Sequence, residues 1–377
     1  MVSLARKVKN RLFGSQALEP PKKWMPSKTY AEQFNATWHQ VYKSTDIHQK
    51  APIYYGSPSQ KYQVAFESQL CRAYPELGVL ELKQGHLVGS DGWIISQEGY
   101  LLPEHSWHGL DVDKITIARN WAKTKHSNLV YLSLASTWSH TNYGHFLLDA
   151  LPRLHLFQEA GFSLKDVDKI YCPLPKSSGS RKLLEKLGVP VEKCILSAFS
   201  NYEGIQANVL IAPSFPGLKR NYPEWVANFL RTLVNQPLPS QNRRLYITRG
   251  TGSRKPINEN ELIDVLSKYS FEIYDPSQQT DSQNNFAEAA VIVGAHGAGL
   301  SDLVFCQPGT KVLELIPSDH VFTYYFSISE AAKLQYGCLI CPSLEERSPS
   351  SFGPSPFDFH VNLQEFEAAL DAMLTNS

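Results

Sequence analysis

From residue 243 to residue 317 the chain alternates between short apolar runs and amphipathic stretches of helical period. The predicted strands are RRLYITRG, FEIYDP, AVIVGAHG and KVLELIP, and the predicted helices are NENELIDVLSKYS and QNNFAEAA. Strands that alternate with helices predict a parallel sheet with right-handed crossovers. The second half is therefore predicted to be an α/β domain, followed by an irregular tail and a closing helix, NLQEFEAALDAML.

The chain before residue 236 shows two further patterns. Alternation of predicted strands and helices begins at Asn128, whereas residues 61–102 predict a β-rich meander. Its β-like segments are KYQVAFESQL, GVLELKQGHLVG and GWIISQEGYLL. Residues 1–60 are rich in Pro, Lys and Ser and predict an irregular extension. We therefore expect an α/β protein with three parts, at 1–60, 61–235 and 236–377.

Composition is that of an ordinary globular protein. The 377 residues are about twice the length of a typical domain. The 36 basic and 36 acidic side chains balance, so no basic excess suggests a nucleic-acid partner. The 6 cysteines lack the paired spacing of a zinc site and are interpreted as reduced thiols. Neither a metal nor another resident cofactor is predicted.

The N-terminal segment MVSLARKVKNRLFG is basic and amphipathic. It lacks the continuous apolar core of a signal peptide, and no window of the sequence reaches the roughly 18 apolar residues of a membrane span. Two interpretations remain, a solvated starting helix or a weak peripheral membrane contact through residues 1–13. Both predict a cytoplasmic protein, and the second places it at the inner face of the membrane.

The turn after the apolar run AVIVG concentrates glycine beside one histidine. Its residues are His296, Gly297, Ala298, Gly299 and Leu300. Loops at the carboxyl ends of parallel strands carry helix N-termini whose free N–H groups bind anions. Gly294, Gly297 and Gly299 allow positive φ and let the backbone come close to a phosphate, with His296 as a further donor. The alternative is a tight turn whose histidine only caps the next helix.

Two arginines follow the neighbouring strand in RRLYITRGTGSRKPINENE. Arg249 lies at the strand end and Arg254 follows in the next loop, so both are expected at one rim of the sheet. Guanidinium groups bind phosphate oxygens in a planar fork, and an enzyme without a metal needs such cations to stabilise a departing diphosphate. Asn258 is interpreted either as a ligand contact or as a helix N-cap, with Glu261 completing a capping box.

Glu314 lies late in the apolar strand KVLELIP. A carboxylate at such a strand end can accept both hydroxyls of a ribose. The alternative is an exposed residue of an edge strand. Taken together, the glycine turn, the two arginines and this acid predict a site for a nucleoside diphosphate that carries a sugar.

The first half carries a different pair in SHTNYGHFLLDALPRLHLF. His145 and Asp149 share one face of a predicted helix, which Asn142 is placed to cap and Pro152 to kink or shorten. The carboxylate can orient the imidazole and hold it as a base near neutral pH. The alternative is a buried pair that serves packing alone.

In these segments the sequence resembles glycosyltransferase family 61, and within it the bacterial capsular-polysaccharide type. The matched text is NYGHFLLDALPRL, RLYITRGTGSRKPINENEL and FAEAAVIVGAHGAGLSDLVFCQPGTKVLELIP, in this order. The resemblance implies a GT-B fold, in which two Rossmann-like lobes face a cleft. It also implies inverting, metal-independent transfer from a UDP-linked nucleotide sugar to a glycan acceptor, in the synthesis of capsular or other surface polysaccharide.

The resemblance also assigns roles by position. The part at 236–377 would bind the nucleotide sugar and the part at 61–235 the acceptor. The donor-site residues so assigned are Arg249 and Arg254 for the diphosphate, the His296–Leu300 turn for the nucleotide and Glu314 for the ribose. His145 or Asp149 would deprotonate the acceptor, a role for which the residues themselves leave both open.

Two other functions fit the same residues. A nucleotide-sugar epimerase shares the two-lobed architecture and would act without an acceptor. A non-catalytic nucleotide-sugar-binding module of a polysaccharide assembly complex would bind the donor without turnover.

Overall fold

A computed structural model describes residues 15–17, 21, 23–106, 123–176, 179–200, 203–217, 220–250, 252–348 and 355–375. The predicted membrane contact through residues 1–13 lies outside them. The chain divides into two compact units, Met1–Thr45 with Tyr74–Arg220, and Asp46–Ala73 with Asn221–Ser377. This division differs from the expected boundaries at residues 60 and 235, because the excursion Asp46–Ala73 carries a strand of the second unit's sheet.

The strands are short except for two long ones in the first unit. They are β1 (Ser15–Ala17), β2 (Lys23–Trp24), β3 (Ala36–Tyr42), β4 (Thr45–His48), β5 (Ile53–Tyr55), β6 (Cys71–Tyr74), β7 (Leu77–Lys83), β8 (His86–Val88), β9 (Trp93–Ile95), β10 (Tyr100–Leu101), β11 (Lys123–Ser133), β12 (Lys169–Tyr171), β13 (Cys194–Ile195), β14 (Glu203–Pro213), β15 (Arg243–Ile247), β16 (Glu272–Tyr274), β17 (Ala289–Ala295), β18 (Lys311–Pro317) and β19 (Gln335–Cys341).

The helices lie mainly between the strands. The α-helices are α1 (Ser27–Gln33), α2 (Gln60–Leu70), α3 (Pro103–Ser106), α4 (Tyr143–His145), α5 (Arg153–Glu159), α6 (Ser180–Lys186), α7 (Glu224–Arg231), α8 (Glu259–Lys268), α9 (Ser282–Ala287), α10 (Tyr324–Ala331) and α11 (Leu363–Thr375). A π-helix spans Phe146–Ala150, and 3-10 helices span Val191–Lys193, Pro276–Gln278 and Ala298–Phe305.

In the first unit, four strands run parallel in the order β13-β12-β11-β14. The chain starts this part at β11, moves outward through β12 and β13, and returns to the other side of β11 as β14. The strand order therefore reverses between β11 and β14. On the far side of β14, β8, β9 and β10 form an antiparallel meander, as predicted. The unit packs around a core of apolar side chains from these strands, which includes Leu80, Leu87, Ile94, Tyr131 and Leu210.

The second unit contains a six-stranded sheet, parallel throughout, in the order β16-β15-β17-β18-β19-β5. The predicted parallel sheet is therefore confirmed. Its strands read as nearly continuous apolar runs, which is typical of a sheet covered on both faces. Side chains of α8 and α11 pack on β17 and β18 in one core, which includes Leu262, Phe366, Leu370, Val293 and Leu313. The strand order reverses between β15 and β17, and ligands of such sheets bind beyond the carboxyl ends at that point.

Three predictions about secondary structure are wrong. KYQVAFESQL forms α2 and not a strand. Only Phe66 of this helix is fully buried, and its ring contacts those of Phe326 and Tyr336. The tail predicted to be irregular contains α10 and β19. The described part of the predicted irregular extension at 1–60 contains α1 and the strands β1 to β5.

Within the part of the chain that the structure describes, no helix is long and apolar enough to cross a membrane. No group of three or more His, Cys, Asp or Glu side chains among the same residues is arranged to hold a metal ion. All six cysteines are free thiols. The α/β class is confirmed, while the GT-B arrangement, the cytoplasmic location and the absence of a resident cofactor stay predictions.

Candidate functional site

Arg249 reaches the glycine turn from the neighbouring strand of the second unit. It follows β15, and His296 follows β17, so both lie at the carboxyl edge where the strand order reverses. Arg249 Nη1 donates a hydrogen bond to the carbonyl oxygen of His296 at 3.1 Å, and Nε donates to that of Ser253 at 2.9 Å. The structure thus brings these two predicted residues together.

Gly297 is required by the close approach of this arginine. A Cβ atom at position 297 would lie 1.4 Å from Arg249 Nη1, a distance that no real contact allows. The φ of Gly297 is 168°, which is extended backbone, and neither Gly294 nor Gly299 has positive φ. The turn therefore does not use the positive φ that glycine allows. The glycines let the guanidinium group lie directly on the turn.

Arg254 is the second cation of the site, and its guanidinium group contacts an imidazole and not a carboxylate. Its Nη1 lies 2.6 Å from His320 Nε2, and its Nε is buried and makes no hydrogen bond among the described residues. Burial, and secondly the charge of Arg249, lower the pKa of Arg254 to about 10. Both arginines stay charged at neutral pH, yet neither has an ion-pair partner in the described chain. Asp358 and Asp319 act on the two arginines only from beyond ion-pair distance. Half-buried cations without an ion-pair partner are costly, which marks the site as one that an anion would complete.

His296 is buried and lies on the same edge. Its Nδ1 is 2.5 Å from Glu314 Oε1, and its Nε2 has no hydrogen-bond partner among the described residues. Burial, followed by the charges of Arg254 and Arg249, lowers the pKa of the imidazole to about 3. The ring is therefore uncharged at neutral pH and presents Nε2 toward a potential ligand.

Glu314 lies behind His296 and is inaccessible to solvent. Its side chain is 0% exposed, and its Oε2 accepts a hydrogen bond from the Tyr336 hydroxyl. Burial raises the pKa of this carboxyl to about 8. A protonated Glu314 donates from Oε1 to His296 Nδ1 and accepts from Tyr336 at Oε2, so that one proton assignment satisfies every atom and leaves Nε2–H as a donor.

The surroundings of Glu314 correct one interpretation and restrict another. The interpretation of Glu314 as an exposed residue of an edge strand is wrong, because β18 lies between β17 and β19 and Glu314 is fully buried. Ribose binding stays a prediction, and a ribose could reach this carboxyl only if it gave up its bond to His296 or to Tyr336.

Asn258 has a structural role in the second unit. It occupies the N-cap position of α8 without a side-chain capping bond, so the predicted capping box is wrong. Its Nδ2 donates to the carbonyl oxygen of Val361 at 2.9 Å, and its Oδ1 accepts from the Val361 N–H at 3.2 Å. Both ends of this amide are thus bonded to the backbone that precedes α11.

The remaining residues of the turn differ in their exposure to solvent. Leu300 is buried, and its N–H donates to the Gly297 carbonyl oxygen at 2.9 Å. Ala298 and Gly299 are partly exposed and begin the 3-10 helix Ala298–Phe305, whose first N–H groups lack helical acceptors. The backbone of the turn can therefore donate to an anion.

Sequence reasoning missed an aromatic group that encloses this edge. His320 and Tyr325 place their rings 5.2 Å and 5.0 Å from the ring of His296, and Phe322 stacks on Tyr324 at 5.3 Å. The only signal was the cluster of rings in DHVFTYYF directly after a predicted strand. These residues lay in the tail predicted to be irregular.

His145 and Asp149 form the predicted pair in the first unit. His145 Nδ1 lies 2.8 Å from Asp149 Oδ2, and Arg220 Nε lies 3.6 Å from the same oxygen. The side chain of Asp149 is 1% exposed and that of His145 is 15% exposed. Asn142 caps the first helical turn through the Gly144 N–H at 2.8 Å, as predicted. The helix then passes through the π-helix Phe146–Ala150, a distortion that is frequent at functional sites.

Two comparisons with known proteins cover this part of the chain. Residues 143–313 match the model of the family glycosyltransferase 61. A 55-residue segment is 46% identical to a beta-1,2-xylosyltransferase of Oryza sativa subsp. japonica, and it spans 15% of this chain and 10% of the rice protein. The matched segment holds the His145–Asp149 pair, both arginines and the glycine turn, and it ends directly before Glu314. Residues 143–313 are therefore similar to glycosyltransferase family 61, which supports a glycosyltransferase.

Proposed function

We propose that the chain transfers a glycosyl group from a UDP-linked sugar to a glycan acceptor, with inversion and without a metal. One observation carries the proposal: Arg249 and Arg254 meet at the reversal of strand order, half-buried and without a carboxylate partner among the described residues. A diphosphate supplies the negative charge that this pair lacks. The family match over residues 143–313 supports the same reading.

The donor site is built from the second unit. The two guanidinium groups bind the diphosphate oxygens, and the first N–H groups of Ala298–Phe305 and His296 Nε2–H add uncharged donors. These groups are preorganised, so they stabilise the charge that grows on the diphosphate as the sugar leaves. This is the role that a divalent cation has in metal-dependent transferases.

The transfer is one displacement at the anomeric carbon. The acceptor oxygen forms the new bond to that carbon on the face opposite the diphosphate. The bond from the anomeric carbon to the phosphate oxygen breaks, and its electron pair leaves with the nucleoside diphosphate. The proton of the acceptor hydroxyl goes to the base, so the products are the glycoside, the nucleoside diphosphate and a protonated base.

We assign the base to His145 and a positioning role to Asp149. Asp149 is buried, and its Oδ2 faces both His145 Nδ1 and Arg220 Nε. The pairing at Nδ1 fixes the tautomer in which Nε2 carries the lone pair that accepts a proton. His145 is also the more exposed member of the pair.

The rice relative suggests which donor sugar to test first, and the acceptor class is carried over from the sequence resemblance. The rice relative is a beta-1,2-xylosyltransferase, so a pentose is the first donor sugar to test, with a hexose as the second. A capsular or other surface polysaccharide is retained as the acceptor class. An enzyme of this kind distinguishes a pentose from a hexose by the shape of its pocket and by a few contacts to the hydroxyl groups of the sugar.

Thermal shift with UDP, UMP and uridine tests the donor site, because a ligand of the folded state raises the melting temperature. UDP is expected to raise it more than UMP, and uridine to have little effect. Arg254→Gln should abolish the shift by UDP, whereas Arg181→Gln, at an exposed arginine of the first unit, should retain it. Equal shifts by UDP and uridine in all three proteins would contradict a diphosphate site. Incubation with UDP-xylose alone distinguishes an epimerase, which would change the sugar without an acceptor.

A further inference from the structure

Trp138 stands out in the first unit because its backbone is strained while its ring is exposed. Its φ is +64°, a left-handed conformation that bulky residues rarely adopt, and the residue is 36% exposed. Backbone strain of this kind persists only where the surroundings enforce it, and it concentrates at functional sites.

Hydrogen bonds hold the Trp138 loop in place. The Trp138 N–H donates to Asp91 Oδ1 at 3.1 Å, and its carbonyl oxygen accepts from the N–H groups of Thr141 and Asn142 at 3.0 Å and 2.9 Å. Ser139 Oγ accepts from the Ser136 N–H at 3.1 Å across the same loop. The backbone of Trp138, and with it the point from which the indole extends, is therefore fixed by the fold.

The loop lies where the strand order of the first unit reverses. It follows β11, and Arg153 donates hydrogen bonds to the carbonyl oxygens of Ala135, after β11, and Pro213, at the end of β14. The buried guanidinium of Arg153 thus ties the carboxyl ends of these two strands together. In open α/β sheets this is the position at which ligands bind.

The ring of Trp138 belongs to the same group of residues as the proposed base. The Arg220 guanidinium carbon lies 5.2 Å from the centre of the ring, a cation–π contact, and the His145 ring lies 5.6 Å away at 48°. Arg220 also faces Asp149, the partner of His145. The position of the indole is thereby linked to the pair that receives the proton.

We propose that Trp138 is the platform on which a sugar ring of the acceptor stacks, with one hydroxyl directed at His145 Nε2. The C–H face of a pyranose or furanose is apolar and suits an aromatic ring, while its hydroxyl rim suits the polar groups beside it. Arg220 supports the ring, and the strained backbone keeps it exposed beside the histidine. This inference rests on the proposed function, since it identifies the acceptor subsite of that reaction.

Saturation-transfer difference NMR with methyl glycosides of xylose, mannose, glucose, galactose and N-acetylglucosamine tests the proposal. At least one glycoside should receive saturation mainly on the C–H protons of a single face. Trp138→Gly should abolish this transfer, since glycine accepts φ of +64° and removes only the ring. Trp138→Phe should retain it with about tenfold weaker binding, because a smaller ring still stacks. Trp24→Ala, at a tryptophan that is 43% exposed in the same unit, should leave it unchanged.

The controls separate this proposal from the donor site. UDP should shift the melting temperature of Trp138→Gly as it does that of the wild type. Two outcomes overturn the acceptor platform alone, provided that UDP binds. In the first, no glycoside receives saturation from the wild type. In the second, Trp138→Gly transfers saturation to the glycoside as well as the wild type does. Failure of UDP to bind the wild type overturns the proposed function, whatever the glycosides show.

Discussion

Glu314→Gln is the substitution that tests the protonation of the candidate site. A glutamine has nearly the shape of a protonated glutamic acid. Its amide N–H can donate to His296 Nδ1, and its carbonyl oxygen can accept from Tyr336, so both bonds of the buried carboxyl are retained. If Glu314 is protonated at neutral pH, the variant should fold normally and still bind UDP.

The magnitude follows from the raised pKa of Glu314. Burial moves it from 4.5 to about 8, so between these values the folded state keeps a proton that the unfolded state releases. The free energy of unfolding of the wild type therefore falls as pH rises through this window, by about 1.4 kcal/mol per pH unit. The glutamine does not titrate. Across the whole window the difference between the two proteins should change by on the order of 5 kcal/mol in favour of the variant.

Urea unfolding of both proteins, monitored by circular dichroism at several pH values, measures this difference. From about pH 5.5 to about pH 7.5 the variant should gain on the order of 3 kcal/mol on the wild type. The lowered pKa of His296 acts in the opposite sense, since it removes stability as pH falls from 6.5 to about 3, but it is common to both proteins. A difference that stays constant with pH would show that Glu314 is ionised in the folded state and would refute the proton assignment.

Four further substitutions test the two sites. Gly297→Ala should abolish the UDP shift, because its Cβ would displace the guanidinium group that lies on the turn, whereas Gly179→Ala, at an open position with φ of −87°, should not. Arg254→Gln should raise the melting temperature of the free protein while it weakens UDP binding, since it relieves repulsion between two half-buried cations; a lower melting temperature would contradict this. Asp149→Asn and His145→Ala should lower kcat by about 10²- to 10⁴-fold with UDP binding unchanged, and unchanged turnover in both would remove the pair from the reaction.

The parallel α/β parts were predictable because their periodicity is local. The segments RRLYITRG, AVIVGAHG and KVLELIP are apolar runs that fit buried parallel strands, and they coincide with β15, β17 and β18. Arg249 and His296 could be brought to one edge because the carboxyl ends of parallel strands share it. Helix α2 was missed since a single buried ring, Phe66, gives no helical period that the sequence shows.

The environment of Glu314 was not predictable from its own strand. KVLELIP was taken as the last strand, and a late acid in an edge strand suggests exposure. The sheet continues through β19 and β5, and β5 comes from residue 53, far away in sequence. Burial of Glu314 and its bond to Tyr336 depend on β19, while the rings around His296 come from residues 320–325, in the tail predicted to be irregular. One missed strand therefore changed the chemical interpretation of a functional residue.

The proton on Glu314 also bears on how the site can bind an anion. An ionised Glu314 would place a negative charge next to the imidazole of His296, which itself lies near the two arginines, and would repel an incoming diphosphate. A charged His296 would add a third cation to a pair that already repels. Keeping Glu314 and His296 neutral adds no further charge beside the arginines, and it leaves His296 an Nε2–H donor that does not repel them. Burial of this acid in the core of a parallel sheet thus favours the uncharged His296–Glu314 pair that the proposed diphosphate ligand would need.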